Sequence, residues 1–139
     1  MWGGAVFCGA ALFVSGRGLP QHPLRVTLVA PASVRQGKPV PVTLRLTNTS
    51  DAPVTVYLTG RTITFDIIVE RAGEVVWRRL DHVATQQIVQ VKTLAPGETL
   101  ELRARWRAAA PPGNYTVTGV IPTDREPLRA ASVSLRIKP

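Results

Sequence analysis

The 139-residue sequence contains one cysteine, Cys8. A lone thiol can neither close an intramolecular disulfide nor supply a Cys-rich zinc site, so burial must hold the fold without covalent staples. Charged residues are few, 19% of the chain, and the acidic sign is the scarcer: 9 Asp+Glu stand against 17 Lys+Arg. The 11 Gly and 12 Pro fall short of a collagen-like or low-complexity composition. No basic run exceeds the two residues Arg78-Arg79, so the net charge of +8 is spread out rather than gathered into an arm that would bind nucleic acid. Catalytic signatures are missing too. There is no G-x-S-x-G elbow, no phosphate-cradling glycine loop and no His pair at metal spacing. Asp81 and His82 are adjacent, and neighbours on an extended segment point to opposite sides, so without a bend they cannot form the Asp–His part of a triad. The chain is therefore read as a non-enzyme, with no catalytic residue, cofactor or metal.

One long uncharged stretch stands apart. Trp2 to Val14 carries no charged side chain, and Val14-Ser15-Gly16 offers small residues before Arg17. This matches the apolar part of an export signal and is too short for a transmembrane helix. Residues 1–16 are thus expected to be a leader and 17–23 a connector, leaving one domain over 24–139 and no membrane span once the leader is gone. No Lys or Arg precedes the apolar run, as would follow from a start codon placed too far downstream. A leader that is not a functional signal would leave the protein in the cytoplasm. Cys8 follows the bulky Phe7, so it is read as part of the apolar run and not as a lipidation site.

From residue 24 onward apolar residues recur with period two. Val40, Val42, Leu44 and Leu46 alternate with Pro41, Thr43, Arg45 and Thr47, and Leu100, Leu102, Ala104 and Trp106 alternate with Glu101, Arg103, Arg105 and Arg107. Val54, Val56 and Leu58 repeat the pattern, as do Ile63, Phe65, Ile67 and Val69. Further strands are expected near 24–30, 74–79, 87–94, 114–121 and 130–137, with turns at Ser50–Pro53, Arg71–Gly73, Ala95–Glu98 and Pro111–Asn114. Short strands at this spacing without βαβ alternation predict an all-β antiparallel sandwich of about eight or nine strands.

Three segments then stand in order: Leu46-Thr47-Asn48-Thr49-Ser50-Asp51-Ala52-Pro53-Val54, Thr64-Phe65-Asp66-Ile67-Ile68-Val69 and Gly73-Glu74-Val75-Val76-Trp77-Arg78. Leu94-Ala95-Pro96-Gly97-Glu98, Trp106 and Gly113-Asn114-Tyr115-Thr116-Val117-Thr118-Gly119 follow. Together they resemble the intracellular proteinase inhibitor (BsuPI) domain, over about residues 37–121. The resemblance implies an immunoglobulin-like sandwich and inhibition of a serine proteinase. If the leader exports the chain, a proteinase confined to the cytoplasm would be out of reach.

Phe65, Trp77, Trp106 and Tyr115 are expected to be structural. Trp77 shares strand parity with Val75, and Trp106 with Leu100 and Leu102, which directs both indoles inward. Tyr115 stands where a corner tyrosine returns its hydroxyl to the backbone. Gly97 and Gly113 are expected to supply positive φ. Asn48 and Asn114 match the glycan acceptor pattern but are read as turn residues.

If every strand reverses the chain, loops 48–53, 71–73, 95–98 and 122–129 meet at one end, and 31–39, 60–62, 80–87 and 108–113 at the other. Charge would then segregate, with Arg35, Lys38, Arg61, Arg78, Arg79 and Arg107 at the second end against Asp81 alone. Arg61, Arg78, Arg79, Asp81 and His82 are the candidate partner-binding residues, with the segment between Arg79 and Gln87 inserting into an acidic partner surface. Two functions follow: an inhibitor that docks on a serine proteinase by its loops, or a non-inhibitory immunoglobulin-like interaction or structural module of an exported protein.

Overall fold

The computed structural model describes residues 22–84 and 87–139. The leader, Cys8 and most of the connector lie outside them. Among the described residues no helix is long and apolar enough to cross a membrane. Among the described residues all regular structure is strand: β1 (Leu24–Val29), β2 (Ser33–Arg35), β3 (Pro39–Asn48), β4 (Val54–Thr59), β5 (Asp66–Arg71), β6 (Glu74–Arg78), β7 (Val89–Leu94), β8 (Thr99–Arg107), β9 (Gly113–Ile121), β10 (Leu128–Arg129) and β11 (Val133–Lys138). The short β2 and β10 exceed what alternation can announce, since three or two residues show no period.

Two sheets face each other as an immunoglobulin-like sandwich. One has the order β1-β3-β8; the other runs β2-β11-β9-β5-β6, with β10 added to the end of β9; β4 and β7 form a separate ribbon. Every pairing is antiparallel except β2 with β11. Val40, Val42, Leu44 and Leu46 of β3 oppose Ile67, Val69, Val117, Leu135 and Ile137 of the second sheet in one buried cluster. The sheets come close at Gly119, where an added Cβ would overlap the Leu44 side chain. Trp106 spans the layers, with its ring 5.8 Å from Trp77 and 6.5 Å from Tyr115. The Tyr115 hydroxyl donates to Pro111 O, which ties the start of β9 to the loop before it.

Trp77 packs inward as expected, but Val75 does not share its side. The register shifts between Val69 and Glu70, so that Val69 faces Trp77 while Glu70 faces Val75. The bulge uncouples the two residues' parity: Val75 is exposed, and Trp77 is half-buried against the core. Asn114 lies within β9 rather than in a turn. Asn48 is fully buried, donating to Ala52 O and Leu94 O and accepting from the Ser50 amide and hydroxyl. Gly97 and Gly113 both have positive φ.

The arrangement of the ends also differs from the alternating scheme. Leu58 of β4 bridges Thr123, and Asp66 of β5 faces Val120, both antiparallel. Strands β4 and β5 therefore run the same way along one neighbour, and residues 60–65 do not turn the chain around. β6 and β7 return beside them, with Arg79 N–H donating to Ile67 O and Gly60 N–H to Ile88 O. The result is one long hairpin interrupted on both arms. Its true turn is Ala72-Gly73, with φ of 53° and 84°, as a tight hairpin between right-twisted strands requires. This turn joins loops 31–39 and 108–113: Arg71 lies against Gly113 and donates to the Tyr115 hydroxyl, and Gly37 N–H bonds Ala108 O.

Candidate functional site

The two interruptions of the long hairpin form the site. Residues 60–65 leave the short arm, and the chain leaves the long arm after Arg79 and rejoins it at Ile88, between the pairs Ile67–Arg79 and Gly60–Ile88. Gly60 starts the short excursion at φ 90°, where an added Cβ would press on Thr62 O and Thr64 Oγ1. Thr64 N–H then closes back on Thr59 O at 2.8 Å.

Both roots of the long excursion are pinned. At the first, Arg79 donates to Phe65 O at 2.8 Å and lies over the Phe65 ring. Asp66 Oδ1 accepts the Leu80 N–H at 3.1 Å, while Oδ2 meets Arg78 at 3.5 Å. Partial burial of Arg79 lowers its pKa from the ordinary guanidinium value, and Asp66 offsets part of that by favouring the charged form. At the second root, besides Gly60–Ile88, Gln90 Nε2 donates to Gly60 O at 3.2 Å and Arg61 O at 2.7 Å.

Between the roots the chain turns outward. Asp81 N–H bonds Arg78 O and Val83 N–H bonds Leu80 O, a pair of successive tight turns. His82 sits at their apex with φ 60°, a left-handed conformation uncommon for a residue with a Cβ. This bend brings the Asp81 and His82 side chains to 4.0 Å, too long for a hydrogen bond, and leaves His82 93% exposed. Val83 beside it is an exposed apolar residue, 52% accessible. Beneath the turns a pocket of about 300 Å³ opens between Arg61, Ile63, Arg79, Leu80 and Val83.

All five candidate binding residues thus come to one flank, though not through the basic end expected of them. Arg61, Arg78 and Arg79 move to this flank, and Glu70 and Glu74 flank the turn that joins Arg35, Lys38 and Arg107 at the end of the sandwich. The proposed segregation of charge between the two ends fails, because it assumed a reversal at 60–65. Asp66 and Gln90, which hold the two roots, escaped sequence reasoning: Asp66 occupies a wet position of an alternating strand, and Gln90 carries no motif. Among the described residues no group of three or more His, Cys, Asp or Glu could hold a metal ion.

A wider cleft of about 1000 Å³ lies at the other side of β4, between Tyr57, His22 and the segment Asp124–Leu128. His22 Nδ1 there accepts the Leu24 N–H, a local backbone contact.

The sequence profile of the family described as BsuPI, intracellular proteinase inhibitor, matches residues 27–126. No curated protein sequence matches the chain. Among solved structures, the C-terminal domain of wzt superposes with a TM-score of 0.58 at 10% identity, covering 86% of this chain and 75% of that one. Spo0M, a sporulation control protein from Bacillus subtilis, superposes with a TM-score of 0.55 at 10% identity, covering 86% of this chain and 51% of the other. At such identity these likenesses speak for the sandwich fold alone.

Proposed function

The chain belongs to the BsuPI intracellular proteinase inhibitor family, and from that premise we propose that it inhibits a serine proteinase by docking the excursion after β6, without metal or cofactor. The observation that carries this reading is the clamping of both roots of that excursion, at Phe65–Asp66 and at Gly60. A segment whose two ends are already held loses less conformational entropy on binding than one free at its ends. Held roots also keep the segment in place if the target nicks it, so that release stays slow. Val83 and His82 at the exposed apex supply the contact, and Arg61 beside the pocket below them meets the rim of the target.

A fluorogenic assay against trypsin-like, chymotrypsin-like and subtilisin-like proteinases tests the proposal. The expected result is tight, stoichiometric inhibition of at least one class that is lost in Val83→Asp. Absence of inhibition at micromolar excess in all three would overturn it and favour a non-inhibitory interaction module. Export through residues 1–16 belongs to the same proposal and sets the target outside the cytoplasm. Intact-mass analysis showing an N-terminus at Arg17 would support export, whereas a retained leader would point to proteinases inside the cell.

A further inference from the structure

The outer face of the β1-β3-β8 sheet carries an array of five arginines. Antiparallel register places Arg25 beside Thr47, Arg45 beside Glu101, Arg103 beside Thr43, Arg105 beside Pro41 and Arg107 beside Pro39. All five arginines are exposed. Glu101 is the only acid among them, and it is held between Arg45 at 3.7 Å and Arg103 at 2.7 Å. Arg25 and Arg105 have no ion-pair partner among the described residues. The outer face of the opposite sheet is basic too but carries more acid: Asp66 and Glu70 stand there with Arg35, Arg78, Arg129, Arg136 and Lys138.

We propose that this arginine face docks the protein on an anionic lipid bilayer. The charges form a two-dimensional array, three strands wide and five register rows long, or roughly 10 by 27 Å from strand spacing and rise. A plane of headgroups meets such an array over its whole area, whereas a nucleic acid backbone offers charge along a line. The face carries no aromatic side chain on which a base could stack, the usual companion of basic residues in single-strand binding. Its remaining positions are Thr, Pro and Val29, the last 53% exposed, so little desolvation opposes contact with the interface. Attachment of this kind is reversible and salt-sensitive, because the charges stay near water. It leaves the β4–β7 ribbon and the clamped excursion beside it free, and does not depend on the inhibitor reading.

Co-sedimentation of the whole protein with phosphatidylglycerol-rich and with pure phosphatidylcholine vesicles tests the proposal. Binding is expected to the anionic vesicles only and to vanish at high salt. The combined variant Arg25→Gln, Arg103→Gln and Arg105→Gln should weaken partition by about 100-fold, at about fivefold per arginine. Arg125→Gln, Arg129→Gln and Arg136→Gln together, an equal loss of charge elsewhere, should preserve most of it. Thermal melting checks that both variants fold, and Arg105→Gln alone, with an expected loss of about fivefold, serves if the triple variant does not. Failure to pellet with anionic vesicles, equal weakening in both triple variants, or tighter binding to a DNA duplex at the same salt would each overturn the assignment.

Discussion

The Arg79 guanidinium carbon lies 3.9 Å from the centroid of the Phe65 ring, and the same side chain donates to the Phe65 carbonyl oxygen at 2.8 Å. One residue thus closes the root of the excursion on both the apolar and the polar side of its partner. The guanidinium suits this double task because its face stacks while its edge donates. An ammonium keeps the charge and can donate, but has no planar face to lay on the ring while it does so.

Arg79→Lys should therefore loosen residues 80–84 without unfolding the sandwich. The expected result is an inhibition constant weakened at least tenfold, with a loss of stability of about 0.5–1 kcal/mol, the scale of a partly exposed cation–π contact. Hydrogen exchange at the Leu80 and Val83 amides should accelerate. Unchanged exchange would show that the root does not depend on Arg79.

Asp66 and its asparagine variant separate hydrogen bonding from charge. Asp66→Asn retains an acceptor for the Leu80 N–H, whereas Asp66→Ala orphans that half-buried donor. The alanine change should cost about 1–3 kcal/mol and the asparagine change clearly less, as read from denaturant midpoints. Equal losses would mean that the charge facing Arg78 and Arg79 dominates.

Asn48 makes four hydrogen bonds from a fully buried position. Asn48→Ala leaves the Ala52 and Leu94 carbonyls without that donor and should destabilise by about 2–3 kcal/mol. Asn48→Asp should be worse, since it turns a donating amide into an acceptor facing two carbonyls. The same burial excludes glycan attachment in the folded state, so expression in a glycosylating host should leave Asn48 unmodified by mass spectrometry.

Ala72 adopts φ 53° in the hairpin turn. Substitution by glycine or asparagine relieves the clash of its Cβ and should stabilise the protein by up to about 1 kcal/mol, raising the melting temperature. A fall in melting temperature would show that the turn is set by its neighbours.

Trp106 fills the space between the sheets, and Trp77, the one half-buried residue of the exposed edge strand β6, stacks on it at 5.8 Å. Trp106→Ala should cost about 3–5 kcal/mol, a large-to-small change in a buried site. Trp77→Ala should cost less, with a coupling of about 0.5–1.5 kcal/mol in the double-mutant cycle. A coupling near zero would mean that the rings share a cavity without attracting.

Regular alternation made most strands legible. In β3 and β8 every second residue is apolar over nine or more positions, and only one pleated orientation buries that set. The role of Tyr115 was legible from the Pro-Gly-Asn turn before it. The exposure of Val75 on the strand that carries the inward Trp77 was not, because the bulge between them depends on the partner strand. Residues 63–65 continue the apolar alternation of β5 yet lie in an excursion, since Gly60 at positive φ and the Thr64–Thr59 closure take them out of the ladder. The five candidate binding residues were picked by charge and loop position. That they share one flank follows from β4 and β5 running in the same direction, a relationship carried by hydrogen bonds to residues more than fifty positions away.

The sequence by itself determined that the chain is an all-β sandwich and which side of each regular strand faces the core, because a period of two leaves one consistent way to bury apolar surface. It also supplied the family resemblance through ordered turns. Only the tertiary structure decided where the loops meet and where the charge gathers. Arg25, Arg45 and Arg105 are far apart along the chain and become one surface through strand register, while Arg79 finds Phe65 through a break in a hairpin. Alternation is a local property of the backbone; the meeting of distant strands depends on which ladders close, and no single segment encodes that.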